Sequence, residues 1–429
     1  MLGSKHFVSS VTRGLALAVV LLVSSGFAQK KLPLTTNSPE AKDNFMRAIS
    51  ALESFDFQKF TSLAQKALAA DTNFAMGHMA VAATLPPPQR QKHIDKFTAL
   101  APNASKGEQL YLQGMVHWYK NTEDDKALEA FRQLRQMLPE DRMICMMLGN
   151  VERRKGNFKE AIAAFEAANK IDATLPRASS FIGDCYLLQD NYEKARPYYK
   201  QVVGKVDPDA TPFGPFFGQI WADLYEGKPD PALKTLDEFM DRYNRNGAAQ
   251  GFPPVWIWNH KARINLEFGR LNEALRCYEI GYKSVPPTSN TQVDSIQKLV
   301  WLGRMHHGRA RTLAKMGKHD EAWKIAEEVK KMIENGGKEG EQYWPAYHYL
   351  AGYIVLEKGD YPAAIEQLKK TDLNDPFHKL LLARAYLKTG DKGQATKLCE
   401  EIVKFTTNNI ERALSYPEAK KIIAMNSSN

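Results

Sequence analysis

The chain has 429 residues, 44% of them hydrophobic and 10% aromatic, with a formal net charge of +9. That content excludes a disordered or low-complexity chain, and the length exceeds what one compact core accommodates, so several domains or a solenoid is expected. The positive bias is mild for this length and favours acidic partners or an anionic surface.

The first residues are read apart from the fold. MLGSKHFVSSVTRG carries Lys5, His6 and Arg13 and no acid, LALAVVLLV (15–23) is apolar, and SSGFA puts Gly26 and Ala28 at small-residue positions. This is the pattern of a secretory signal peptide cut after Ala28. An uncleaved anchor is the alternative, but the apolar run falls short of the ~20 residues a membrane span needs. No Cys stands near the cut for lipid attachment, and losing Lys5 and Arg13 leaves a charge of +7. Export argues against nucleic acid as a partner, and the mature chain carries no predicted transmembrane segment.

Residues 29–40 read as a linker, and a weak helical unit follows at 41–73, where QKFTSLAQKALAADTNFA keeps Ala67. Residues 74–107 read as a degenerate unit broken by Pro86-Pro87-Pro88. From 108 to 204 the units are clear. GNFKEAIAAFEAANKID (156–172) places Phe158, Ala161, Ile162, Phe165 and Ala168 on one helical stripe. That stripe is thin, with small residues that let a neighbouring helix come close. MLGNVERRKGNFKEAIAAF (147–165) lies over FIGDCYLLQDNYEKARPYY (181–199) after a shift of 34 residues, pairing Gly149 with Gly183 and Phe165 with Tyr199. The same frame recurs at Ala127/Phe131, Gly227/Ala232, Gly269/Ala274/Tyr278, Gly317/Ala322, Gly359/Ala364 and Gly390/Ala395.

This spacing resembles the tetratricopeptide repeat. The resemblance implies an all-α, right-handed α-solenoid of about 8–10 helix-turn-helix repeats over roughly 41–404. Two segments rich in Gly, Pro and aromatics, 205–218 and 244–258, read as inserts that bend the array, so 205–254 forms an atypical repeat between the N-terminal array (41–204) and a C-terminal one (255–404). Residues 405–429 read as a capping helix over the last unit. The opening LPLTTNSPEAKDNF also resembles exported bacterial proteins of this repeat family, which carry a Thr/Ser-rich strip before their first unit.

No catalytic motif emerges, and no enzyme is expected. There is no G-x-S-x-G, H-E-x-x-H or C-x-x-C, and the Gly-Lys pairs at 227, 317 and 337 lack the preceding Gly of a phosphate loop. His306 and His307 point about 100° apart on a helix, so they do not share a metal ion. No cofactor or metal is expected. Cys145, Cys185, Cys277 and Cys399 read as small buried apolar residues, with Cys145 and Cys185 as the one pair to test for a disulfide.

The repeat resemblance also places a ligand groove on the first helix of each unit. Its residues in this chain are Asn150, Arg153 and Arg154; Arg177 and Asp184; Phe217, Trp221 and Tyr225; Trp256, Asn259 and Arg263; Arg304, His307 and Arg311; Tyr349 and Tyr353. Arg takes carboxylates in bidentate fashion and the rings give rigid apolar area. The expected partner is a protein or peptide of acidic or C-terminal carboxylate character. The carboxylate clamp of chaperone-binding relatives is not reproduced, because Met146 stands where a basic residue is required. Carbohydrate stacked on Trp and Tyr, as in an exported nutrient-uptake system, is the alternative. An enzyme site in the two inserts is the third reading.

Overall fold

The computed structural model describes residues 31–85, 87–120, 122–205, 214–246, 254–284 and 292–427. The leader at 1–28 and the middle of each proposed insert, 206–213 and 247–253, lie outside them. Among the described residues the regular structure is entirely helical. Helices follow one another as antiparallel pairs: α1 (Pro39–Glu53) with α2 (Phe57–Ala70), α3 (Ala75–Ala82) with α4 (Pro87–Leu100), α5 (Lys106–Lys120) with α6 (Asp124–Met137), and α7 (Arg142–Arg154) with α8 (Phe158–Ile171). Next come α9 (Arg177–Leu188) with α10 (Tyr192–Lys205), α11 (Gly214–Tyr225) with α12 (Pro229–Asn246), and α13 (Pro254–Glu267) with α14 (Leu271–Lys283). The series ends with α15 (Gln292–Lys315) and α16 (His319–Asn335), the short α17 (Gly337–Gly340), α18 (Trp344–Lys358) with α19 (Tyr361–Leu368), α20 (Pro376–Thr389) with α21 (Lys392–Val403), and a last helix, α22 (Ile410–Ser427). The chain is an α-solenoid.

The thin helix faces have their explanation in this packing. A Cβ placed on Gly149 of α7 would stand 2.5 Å from the Phe165 ring of α8, and one on Gly183 of α9 would stand 2.7 Å from the Tyr199 ring of α10. Each first helix therefore gives up a side chain so that the aromatic ring of its partner lies against bare backbone. Both rings are fully buried. The turn between the helices ends in a left-handed residue, Gly156 at φ 81°, a conformation that costs glycine nothing.

Three expectations are corrected. The three prolines do not break the second unit: Pro87 starts α4, where the missing N–H is harmless. The ends of the two inserts are not loop, because Gly214–Gly218 and Pro254–Trp258 form the first turns of α11 and α13. The strip read as a linker is bound at residues 32–38. The Leu32 N–H donates to Asp141 at 2.7 Å, the Thr35 N–H donates to the fully buried Glu108 at 2.9 Å, and Ser38 caps α1. All four cysteines are buried and free, so Cys145 and Cys185 form no disulfide.

Gly149→Ala tests the close approach. The added methyl has to displace the buried Phe165 ring, and a loss of about 1–3 kcal/mol is expected, read as a lower urea midpoint at unchanged slope. Wild-type stability in this variant rules the contact out as a determinant.

Candidate functional site

The first helices of successive units place the expected groove residues along one wall, but much of that wall is filled by the chain itself. At its N-terminal end the turn between α1 and α2 is the occupant. Arg142 donates to Glu53 at 3.0 Å, and Arg177 donates to the Leu52 carbonyl at 3.2 Å with its guanidinium 5.9 Å from the Phe57 ring. Asn150 and Asn259 lie half-buried on α7 and α13.

Further along, the segment from 404 to 420 is the occupant. Arg153 donates to the Thr406 carbonyl at 3.0 Å, and the Thr406 hydroxyl donates to the Arg154 carbonyl at 3.1 Å. Asn408 bridges Asp184 and Tyr225, donating to the first and accepting from the second, both at 3.1 Å. Arg412, only 1% exposed, donates to the Tyr225 hydroxyl. Arg263 pairs with Glu411. Tyr416 and Lys420 both reach Asp190, at 2.9 Å and 2.7 Å, and Arg384 of α20 holds Glu418 through two bonds of 2.8 Å and 2.7 Å. Helix α22 thus covers more than the last unit. Ile410, Ala413 and Tyr416 share a core with Ile220, Trp221 and Ile257, while Ala419 and Ile422 pack with the α20–α21 unit. Arg153, Arg177, Tyr225 and Arg263 are therefore taken up in contacts within the chain, which corrects their reading as an open groove.

The wall between α13 and α20 is a buried polar network. Arg311 donates to the hydroxyls of Tyr349 at 2.6 Å and Tyr278 at 3.3 Å, and its guanidinium lies 5.7 Å from the Tyr353 ring. Tyr353 is fully buried. His307 donates from Nε2 to the Ala346 carbonyl at 3.1 Å, and its ring centroid lies 4.7 Å from that of Tyr349. Burial, seconded by Arg311, holds His307 well below the ordinary histidine range. Burial works against the charge on Arg263, but Glu411, Tyr349 and Asp375 outweigh it and raise its pKa. His260 lies among Phe217, Trp221 and Trp256, with Nδ1 donating to the Trp256 carbonyl at 2.8 Å. Burial lowers its pKa from 6.5 to about 4.

One stretch of the wall is not filled by the described residues of the chain. Arg304 is exposed, and its guanidinium sits 5.0 Å from the Trp301 ring and 5.8 Å from the Trp256 ring. The two indoles meet edge to face at 5.0 Å. Trp256 is half-buried, Trp301 is buried, and Tyr343, 40% exposed, lies within electrostatic reach of the arginine. Among the described residues Arg304 has no hydrogen-bond or ion-pair partner. It presents a planar donor fork on an aromatic ledge, with Glu411 acting on it through space but making no ion-pair contact.

Sequence reasoning missed Trp301, Asp190, Thr406, Asn408, Glu411 and Arg412. Asp190 carried a signal: it falls where Gly156 stands one period earlier, and it takes the same left-handed conformation at φ 58°. Among the described residues no group of three His, Cys, Asp or Glu side chains converges to hold a metal, and no helix is long and apolar enough to cross a membrane.

Family models of the tetratricopeptide repeat match residues 113–176 and 152–211. No curated protein matches the chain. Among solved structures, a tetratricopeptide repeat protein from Parabacteroides merdae is 17% identical, with 65% of this chain and 98% of that one covered and a TM-score of 0.43. Yeast Tom70 is 13% identical, covering 90% and 89%, with a TM-score of 0.43. The signal transduction ATPase PH0952 from Pyrococcus horikoshii, which has a tetratricopeptide repeat sensor, is 15% identical, covering 90% and 65%, also at 0.43.

Two outcomes test the filled wall. Arg263→Glu leaves Glu411 facing a like charge in a largely buried site, so a loss of about 3 kcal/mol is expected. The double exchange Arg263→Glu/Glu411→Arg should recover part of it in thermal unfolding; no recovery means the pair is not coupled. Acid tests His260. A histidine whose folded pKa is depressed binds its proton more readily unfolded, so stability is full above 6.5 and falls as the pH drops toward about 4. The contribution is on the order of 3 kcal/mol. His260→Phe should flatten the decline of Tm over that window, and an unchanged slope assigns the acid sensitivity elsewhere.

Proposed function

The chain is a tetratricopeptide-repeat protein, and from that premise we propose that it is an exported, non-catalytic scaffold that holds a polypeptide partner on the ledge at Arg304. Repeat arrays of this kind work by presenting side chains from successive units to one extended surface. The observation that carries the reading is the state of Arg304. Its neighbour in the sequence-derived groove, Arg263, is in ion-pair contact with Glu411, whereas Arg304 stands exposed over Trp256 and Trp301 and, among the described residues, feels Glu411 only through space, with no carboxylate in contact. A guanidinium stacked on rings keeps its donors aimed outward and accepts a carboxylate through two parallel bonds. Trp, Tyr and Arg are also the residues that most often anchor interfaces. The partner that fits is a peptide segment bearing an Asp or Glu side chain or a C-terminal carboxylate. Export rests on the leader from Met1 to Ala28, with its basic start, apolar centre and small residues before the cut.

The test is a crosslinking pull-down from the exported fraction with the chain from Gln29 as bait. Arg304→Glu should cut capture of the dominant partner at least tenfold with helicity unchanged. Arg304→Lys should retain part of it, because the ammonium keeps the charge and loses the planar fork. Full capture by Arg304→Glu removes the ledge from the binding surface, and carbohydrate co-purifying in place of protein moves the assignment to a glycan.

A further inference from the structure

The α3–α4 pair, read from sequence as degenerate, holds two histidines whose ring nitrogens converge. His78 of α3 is 8% exposed, and its Nδ1 stands 3.0 Å from Nδ1 of the half-buried His93 on α4. The tautomer of His78 follows from its other nitrogen. Nε2 lies 3.0 Å from the Thr72 carbonyl, which only accepts, so Nε2 carries the proton and Nδ1 offers a lone pair. In the chain as it stands, His93 supplies the shared proton from its own Nδ1.

We propose that His78 and His93 form a binding site for a divalent transition metal, copper(II) foremost. The arrangement has the parts of a histidine metal site. Two imidazoles come from facing helices, and the backbone carbonyl of Thr72 fixes the orientation of one ring from behind, as the outer partners of metal-ligating histidines do. The 3.0 Å separation is that of the shared hydrogen bond, so an ion that enters exchanges this bond for two metal–nitrogen bonds. Imidazole suits copper, nickel and zinc, and copper(II) binds most tightly in that series. When the ion enters, the proton on His93 Nδ1 shifts to Nε2, so the ring stays neutral and no net proton is released. Both rings turn away from their present nitrogen-to-nitrogen approach to bring their lone pairs onto the ion, which the half-buried His93 side chain can do from the open side. The remaining positions go to water, since no third His, Cys, Asp or Glu converges there among the described residues. Lys92 and Lys96 are the charged groups acting on the pair, and their positive charge keeps the affinity modest.

The experiment titrates the full chain with copper(II) chloride, read by calorimetry and by electron paramagnetic resonance, with nickel(II) and zinc(II) chloride in parallel. One copper per chain is expected, with nitrogen splitting from two equivalent imidazoles and affinities in the order copper, nickel, zinc. His93→Ala changes a half-buried side chain, so helicity should be kept; this variant should lose at least tenfold in copper affinity. It should also lose the rise in Tm that copper gives the wild type. Equal binding by His93→Ala, zinc binding tighter than copper, or no saturable copper site in the wild type each overturns the proposal.

Discussion

Helix α22 returning across α9, α11 and α13 is the contact on which the shape of the binding wall depends. A solenoid with a free concave side exposes the polar and aromatic residues of its first helices along its whole length. Here the pairs Arg263–Glu411 and Arg384–Glu418 pin the start and the middle of the returning helix to α13 and α20. From Ile410 to Ile422 its apolar residues enter two different cores. A pair this deeply placed gains little over water unless its hydrogen bonds are complete, so its value lies in position more than in strength. It fixes where the helix sits and which arginines remain for anything else.

The local half of this architecture was legible in the sequence. Gly149 with Phe165 and Gly183 with Tyr199 are contacts within one unit, and their spacing repeats because the same pair of helices is built each time. The prolines at 86–88 misled because proline breaks a helix interior and favours a helix start, and composition alone does not say which position it holds. The occupants of the groove were illegible for a different reason. A repeat template assigns each residue a face, but Arg153 meets Thr406 across 253 positions and Arg263 meets Glu411 across 148, and no local pattern encodes those pairings. One trace remained in α22 itself. Both its Ile410–Ala413–Tyr416 stripe and its Arg412–Ser415–Ala419 stripe are buried, whereas a helix covering only the end of an array buries one.

The same comparison separates the arginines of the wall by what they can still do. Arg153, Arg177, Arg263 and Arg311 each have at least one terminal guanidinium nitrogen bonded to a carbonyl, a carboxylate or a phenol of the chain. A ligand reaching any of them has first to break an existing bond and then reproduce it, which cancels most of the gain. Arg304 incurs no such loss. Its rings hold it in place, so little side-chain freedom is left to lose on binding, and that preorganisation is what makes a single exposed cation an anchor. The wall thus narrows from a long groove to one stretch around α13, α15 and the start of α18.

Closure also changes how the array responds to damage. In an open solenoid each unit touches only its neighbours, and stability is close to a sum of local terms that let the ends fray separately. The bonds from 404–420 to α7, α9, α11 and α13 link units far apart in the chain, and the bond from Glu53 to Arg142 does the same at the other end. Loss of an inner unit therefore releases the last helix as well, and release of the last helix exposes the apolar faces of α11 and α13. Such long-range contacts couple the middle and C-terminal units, whereas an open array couples only neighbours.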